Sequence, residues 1–338
     1  NITRCLTLMM QDPGAAVGAV IHDRAPGGTI YPGYLAYMQR AHADSGKPVA
    51  LVSARQGTGC DTAATTSTHA GLPVLDGVSQ FLAGVRALFD YRDFLLRQYS
   101  TPRAPDEQRI EHWQSILATG RTLGEAGSLT LLADFGFDVA ASALSNSADD
   151  AAAAAATIGY PVALKTAAAG ILHKSDQGGV VLGIEDEQAL RRAYKKMSSK
   201  LGDEVQVSAM APAGIEMLLG IKRDPQFGPV VLIGFGGVLA ETIGDIQFAL
   251  PPFDAAHARR CVDRMKLRPL LDGMRGGPPV AFDVFCEVAA RFSELARALG
   301  DVVMEADVNP VVVHAGGAIA VDALFIGRET KEDQDAET

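Results

Sequence analysis

Only four cysteines occur in 338 residues, Cys5, Cys60, Cys261 and Cys286, and no two of them form a CxxC pair. That scatter excludes a disulfide framework and a cysteine-based zinc site, and it predicts free thiols in a reducing cytoplasm. Basic residues are outnumbered, 30 Lys and Arg against 40 Asp and Glu, and they do not cluster. With a net charge of −10, nucleic acid is excluded as the main partner. No apolar run approaches the roughly 18 residues of a membrane span. The opening "NITRCLTLMMQD" lacks the basic start and long apolar core of a secretory signal. It begins with Asn1 rather than Met, which predicts a fragment or a processed chain. Two phosphate-binding signatures are also missing. There is no GxGxxG spacing and no GKS or GKT, so neither a Rossmann dinucleotide loop nor a P-loop is supported.

Hydrophobic residues make up 48% of the chain and charged residues 21%, enough to bury a sizeable core. The length suggests about two or three domains. Short apolar runs at 16–23, "AVGAVIHD", at 48–53, "PVALVS", and at 71–77, "GLPVLDG", alternate with stretches of helical spacing. The longest such stretch is "VSQFLAGVRALFDYRDFLLRQ". This order predicts part of a parallel α/β sheet over 1–98. Residues 99–119 are polar, carry Pro and Gly, and read as a linker with a short helix around Trp113. A second α/β region follows over 120–326. In "SADDAAAAAATIGY", Ser147 is the expected N-cap, and Asp149 and Asp150 suit the positive end of the helix dipole. From 161 onward strands dominate, ending in "VVMEADVNPVVVH" and "AIAVDALFI", which read as a hairpin across "AGG". The acidic tail over 327–338 reads as disordered.

Three groups carry chemistry. Lys165 stands near the end of the strand "GYPVALKT" and suits a nucleotide phosphate; the competing reading is a surface lysine. Asn309 and Asp322 lie on the paired late strands and offer hard oxygens of the kind Mg²⁺ takes. Asp322 falls in an otherwise apolar strand, where a carboxylate needs a partner or a metal. The glycine turn "GFGGVLAE", with Gly236 and Gly237, has amides that suit a phosphate, although many tight turns look this way.

These stretches lie in order from about 120 to 326 with "GILHKSDQGGV" at 170–180. Together they resemble the nucleotide-binding half of the NDP-forming acyl-CoA synthetases, the relatives of succinyl-CoA synthetase that include ADP-forming acetate–CoA ligase. The resemblance implies an ATP-grasp fold. Residues 1–98 more weakly resemble the end of the flavodoxin-like ligase domain that precedes it in fused members.

The resemblance also implies roles. His173 matches a histidine that carries a phosphoryl group between acyl phosphate and nucleotide, with Asp176 orienting its ring. Lys165 matches the phosphate-binding lysine, and Asn309 and Asp322 match the Mg²⁺ ligands, with Asp307 as acidic neighbour. Glu216 and Glu241 match acidic residues of the nucleotide cleft. Ser208 stands where many members have glutamine. The implied substrates are ATP or ADP, CoA and a small carboxylic acid. The implied partners are N-terminal CoA-binding and ligase domains, or a partner subunit that supplies them. His69, in "STHAGLPVL", is rejected as the family's first phosphohistidine, because the strand and helix after it resemble the later ligase domain. Homo-oligomerisation stays open. The runners-up are another ATP-grasp ligase joining an acyl phosphate to an amine, which has no use for His173, and a non-catalytic synthetase-like regulatory module.

Overall fold

The computed structural model describes residues 2–23, 30, 32–56, 62–96, 106–168, 177–237, 244–273 and 279–329. The chain divides into two units, 1–98 and 99–338.

In the first unit, β1 (Gly18–His22), β2 (Val49–Ser53) and β3 (Val74–Asp76) form a parallel sheet in the order β1-β2-β3. Strand β2 is buried along its whole length, as the continuous apolar run "VALVS" requires of a central parallel strand. Helices α1 (Ile2–Gln11), α2 (Pro32–Ser45) and α3 (Thr62–His69) accompany the strands. Met10, Met38, Ala41, Leu51 and Ala64 are core residues of this unit. Helix α4 (Val78–Leu95) has the expected apolar periodicity, yet none of its residues is buried. Leu82, Leu88, Tyr91 and Leu95 stand open to solvent.

The second unit opens with α5 (Glu107–Leu117), whose N-cap Asp106 accepts a hydrogen bond from the Gln108 amide. This helix, expected within a linker, packs into the main core of the unit through Trp113 and Leu117. The Trp113 indole N–H donates to Asp134 at 3.0 Å. A polar exterior and flanking Pro residues masked the two anchoring side chains. After β4 (Thr122–Leu123) and α6 (Glu125–Asp134), the chain builds a four-stranded sheet in the order β5-β8-β6-β7. Its strands are β5 (Ser142–Ser145), β6 (Val162–Thr166), β7 (Val180–Ile184) and β8 (Val205–Ala209). Helices α7 (Ala148–Ile158) and α8 (Glu187–Leu201) cover one face, burying Ala151, Ala155, Leu164, Leu190 and Val207. Ser147 caps α7 as expected, accepting from the Asp150 amide at 3.1 Å.

A larger seven-stranded sheet follows, in the order β11-β10-β9-β12-β14-β4 with β13 paired to β12. It comprises β9 (Ile215–Asp224), β10 (Gly228–Phe235), β11 (Ile246–Ala249), β12 (Val303–His314), β13 (Gly317–Ala320) and β14 (Ala323–Gly327). Helices α9 (Ala255–Asp263) and α10 (Phe282–Leu299) share a core with it that includes Phe285, Phe292, Leu219, Ile221 and Ile233.

The late hairpin forms, but "AIAVDALFI" is not one strand. Strand β13 pairs with Val311–His314 of β12, and β14 pairs with Val303–Val308. The change of partner falls at Asn309–Pro310, where proline cannot donate to the ladder. Asp322 therefore lies in a break between strands, and its side chain is 35% exposed rather than sealed in a strand.

Candidate functional site

Alternation along β6 and β8 builds one wall of the site. Val162 and Leu164 point to the helices, so Lys165 points to the opposite face. Gln206 is its cross-strand partner and Ser208 pairs with Ala163, so both share that polar face. The second wall comes from the N-terminus of α6 and the large sheet. Glu125 is the first residue of α6, after Gly124, and carries its carboxylate at the positive end of the helix.

Lys165 joins the two walls. Its side chain is only 6% exposed, and its ammonium donates to Glu125 Oε1 at 2.5 Å and to the Val321 carbonyl at 3.2 Å. Asp322 Oδ2 lies 3.6 Å from the same nitrogen. A buried ammonium requires such partners. Gln206 Nε2 donates to Glu125 Oε1 at 3.1 Å and lies 3.4 Å from Ser208 Oγ.

Asn309 meets Asp322 through the backbone, its amide donating to the Asp322 carbonyl at 3.1 Å. Its side chain turns toward the glycine turn. A Cβ on Gly236 would lie 3.1 Å from Asn309 Oδ1, and a Cβ on Gly237, at φ +71°, would collide with Glu216 Oε2. The two glycines thus make room for Asn309 and Glu216. The Gly236 amide is already engaged, donating to the Glu216 carbonyl at 2.8 Å. This amide therefore has a protein partner where the sequence suggested one for phosphate.

Asp307 sits on β12 two residues before Asn309, and the residue is exposed. Its pKa is pushed up to about 6, first by desolvation and then by the charges of Asp322 and Glu305. Among the described residues, Glu125, Glu216, Asp307 and Asp322 bring carboxylates to the walls that carry Lys165. Such a set suits a phosphate that arrives with a cation rather than a bare anion. Among the described residues no group of three His, Cys, Asp or Glu side chains is placed to hold a metal ion.

His173 and Glu241 lie outside the described residues, as does Asp176. Sequence reading missed Glu125 and Gln206. Gln206 was findable, since "VQVSA" alternates polar and apolar residues. Glu125 was not, because an acid in the first turn of a helix is commonplace.

Residues 115–326 match the family described as ATP-grasp domain. The chain is 39% identical over 212 residues to a trans-feruloyl-CoA synthase of an unknown prokaryotic organism, covering 58% of this chain and 29% of that protein. It is 32% identical over 217 residues to the beta subunit of acetate–CoA ligase [ADP-forming] I of Pyrococcus furiosus, covering 62% of this chain and 93% of the subunit. It thus spans under a third of the first relative's length and nearly all of the second. Among solved structures, it resembles the dinucleotide forming acetyl-coenzyme A synthetase 1 of Ca. Korarchaeum cryptofilum in complex with coenzyme A, Ca-AMPCP and HgCl⁺. The TM-score is 0.60 at 30% identity, over 66% of this chain and 100% of that one. Another structure of that protein holds coenzyme A and Mg-AMPPCP, with its phosphohistidine segment pointing towards the nucleotide binding site; there the TM-score is 0.57 at 29% identity, with the same coverage of both chains. The two-walled cleft falls within the matched span, and the chain belongs to the ATP-grasp family, in the branch of the ADP-forming acyl-CoA synthetases.

Proposed function

We propose that this chain is the nucleotide-binding part of an ADP-forming acyl-CoA ligase, which interconverts ATP, a carboxylic acid and CoA with ADP, phosphate and acyl-CoA. The observation that carries the reading is the buried Lys165 ammonium, held between two sheets and 3.6 Å from Asp322. Lys165 binds a phosphate oxygen as a fixed point charge and loses no rotamer freedom on doing so, because Glu125 and the Val321 carbonyl already hold it. Glu216 lines the cleft beside Gly237, and Glu241 is assigned to the same cleft from its sequence position.

Asp307, Asn309 and Asp322 would hold Mg²⁺ with the nucleotide. The donor set fits, since all three are hard oxygen ligands and the raised pKa of Asp307 marks negative charge that a cation relieves. When bound, Mg²⁺ supplies charge neutralisation at the phosphates.

We assign His173 as the phosphoryl carrier on the sequence context "GILHKSDQGG"; a phosphohistidine segment is named in the Korarchaeum relative. The ring nitrogen takes the γ-phosphoryl group as the bond to ADP breaks. The reverse step returns it to ADP, and exchange with the acid side proceeds through an acyl phosphate. We further propose that CoA and the acid are bound by ligase domains or a partner subunit, that residues 1–98 belong to the ligase part, and that the protein works in the cytoplasm. Among the described residues no helix is long and apolar enough to cross a membrane.

Calorimetric titration with MgADP tests the reading. Saturable binding that Lys165→Met weakens by about a hundredfold is expected, as for a desolvated charge-assisted contact. Wild-type affinity in a folded Lys165→Met variant removes it.

A further inference from the structure

Among the described residues, Lys165 has two carboxylates within reach and is shared unequally between them. It lies 2.5 Å from Glu125 and 3.6 Å from Asp322. Glu125 is the better buried of the two, its side chain 3% exposed against 35% for Asp322. The weaker desolvation of Asp322 leaves it the easier charge to neutralise with solvent or an ion, while Glu125 must be paired. Two further features hold the Glu125 side chain in place. It is the first residue of a ten-residue helix, and Gln206 Nε2 donates to the oxygen that also takes Lys165.

We infer that Glu125 is a positioning residue that holds Lys165 back from Asp322. With two of its three hydrogens held by Glu125 Oε1 and the Val321 carbonyl, the ammonium keeps the third for a phosphate oxygen, and its contact with Asp322 stays at 3.6 Å, longer than a hydrogen bond. Without that anchor the ammonium closes onto Asp322, the only other carboxylate paired with it among the described residues, and each neutralises the other. Glu125 and Lys165 come from different walls, α6 packing in the core of the large sheet and β6 in the small one. The same pair therefore fixes the spacing of the two walls. This inference rests on the reading of Lys165 as the phosphate-binding residue.

The sign of the effect makes it testable. Simple electrostatics has Glu125 repelling the phosphates, so its neutralisation should tighten MgADP binding. Positioning requires the opposite. In calorimetric titrations of the full chain, Glu125→Gln should weaken MgADP about tenfold while leaving adenosine affinity unchanged, because only the phosphate end is disturbed. In the Lys165→Met background, Glu125→Gln should have no further effect, since it acts through the lysine. Unchanged or tighter MgADP binding by Glu125→Gln overturns the inference, as does equal weakening of adenosine, which signals a structural role alone. An additive loss in the Lys165→Met background also overturns it. If the Glu125→Gln/Lys165→Met double variant binds MgADP like wild type, the nucleotide reading of Lys165 fails instead. Should Glu125→Gln not melt cooperatively, Glu125→Asp keeps the charge but withdraws it by one methylene. The same phosphate-selective loss is expected there, and wild-type affinity overturns the inference.

Discussion

Among the cleft side chains, Asp307 has an ionisation that responds to its surroundings. Its pKa in the folded protein is about 6, above the ordinary 3.8, so the folded state holds its proton more tightly than the unfolded one. The sign follows from linkage: this carboxylate costs stability at pH 7, and the cost fades as pH falls through 6 toward 4. Because Asp307 is open to solvent, the effect is screened to about 1 kcal/mol or less. In metal-free protein the Asp307 contribution should therefore favour the folded state at pH 5.5 relative to pH 7.5, and Asp307→Asn should remove that part of the melting-temperature difference between the two pH values. MgADP binding should move the other way and weaken below pH 6, as protons compete with the cation. A binding profile flat from pH 7.5 to 5.5 argues against Asp307 in the metal set. The thiols make a simpler case. Burial pushes the Cys286 thiol up to about 12 and also raises Cys261, whereas Cys5 is exposed. Native protein should alkylate at Cys5 well before Cys261 or Cys286, and mass mapping after a short iodoacetamide pulse checks it. Lys165 and Asp322 were legible in the sequence because each is a charge set in an apolar strand-like run. Glu125 was hidden by ordinariness, for nothing local separates a helix-start acid that meets a buried lysine from one that faces water.

At the level of elements, most strands could be read from their apolar patterns, and α7 from its cap. Ser147→Ala should destabilise the nucleotide unit by about 1 kcal/mol. Its local mark is faster hydrogen exchange at the Asp150 amide, which loses its acceptor. Unchanged exchange there means that the cap contributes nothing. The misreadings have a common physical cause, namely that partners distant in sequence decide. "AIAVDALFI" has strand composition throughout, and only the switch of pairing partner along β12 splits it at Asp322. Helix α5 sits in a polar, proline-flanked stretch, and only its packing against distant residues makes it part of a core. Helix α4 shows the reverse. Its apolar periodicity predicts a buried face, and in its own unit that face has no cover.

At the scale of the whole molecule, the proposed nucleotide binding and the proposed chemistry are separable. The two walls of the cleft, with Lys165 on one and Asp307, Asn309 and Asp322 on the other, belong to the unit that matches the ATP-grasp family. The proposed carrier His173 supplies a covalent step and no part of the binding energy assigned to Lys165 and the cation. His173→Ala should therefore bind MgADP within about twofold of wild type, since uniform binding does not pass through the nucleophile. When the chain is combined with the CoA-binding and ligase parts, from a longer form of the protein or a partner subunit, acyl-CoA formation should fall by three orders of magnitude or more in that variant, roughly the loss seen when a covalent carrier is removed. Incubation with γ-labelled ATP should leave an acid-labile, base-stable label in wild type and none in His173→Ala. A variant that loses the label yet keeps full acyl-CoA synthesis rules out the relay, because phosphate would then reach the acid without this histidine. A variant that loses MgADP binding as well shows that His173 is part of the nucleotide site and not a carrier that visits it.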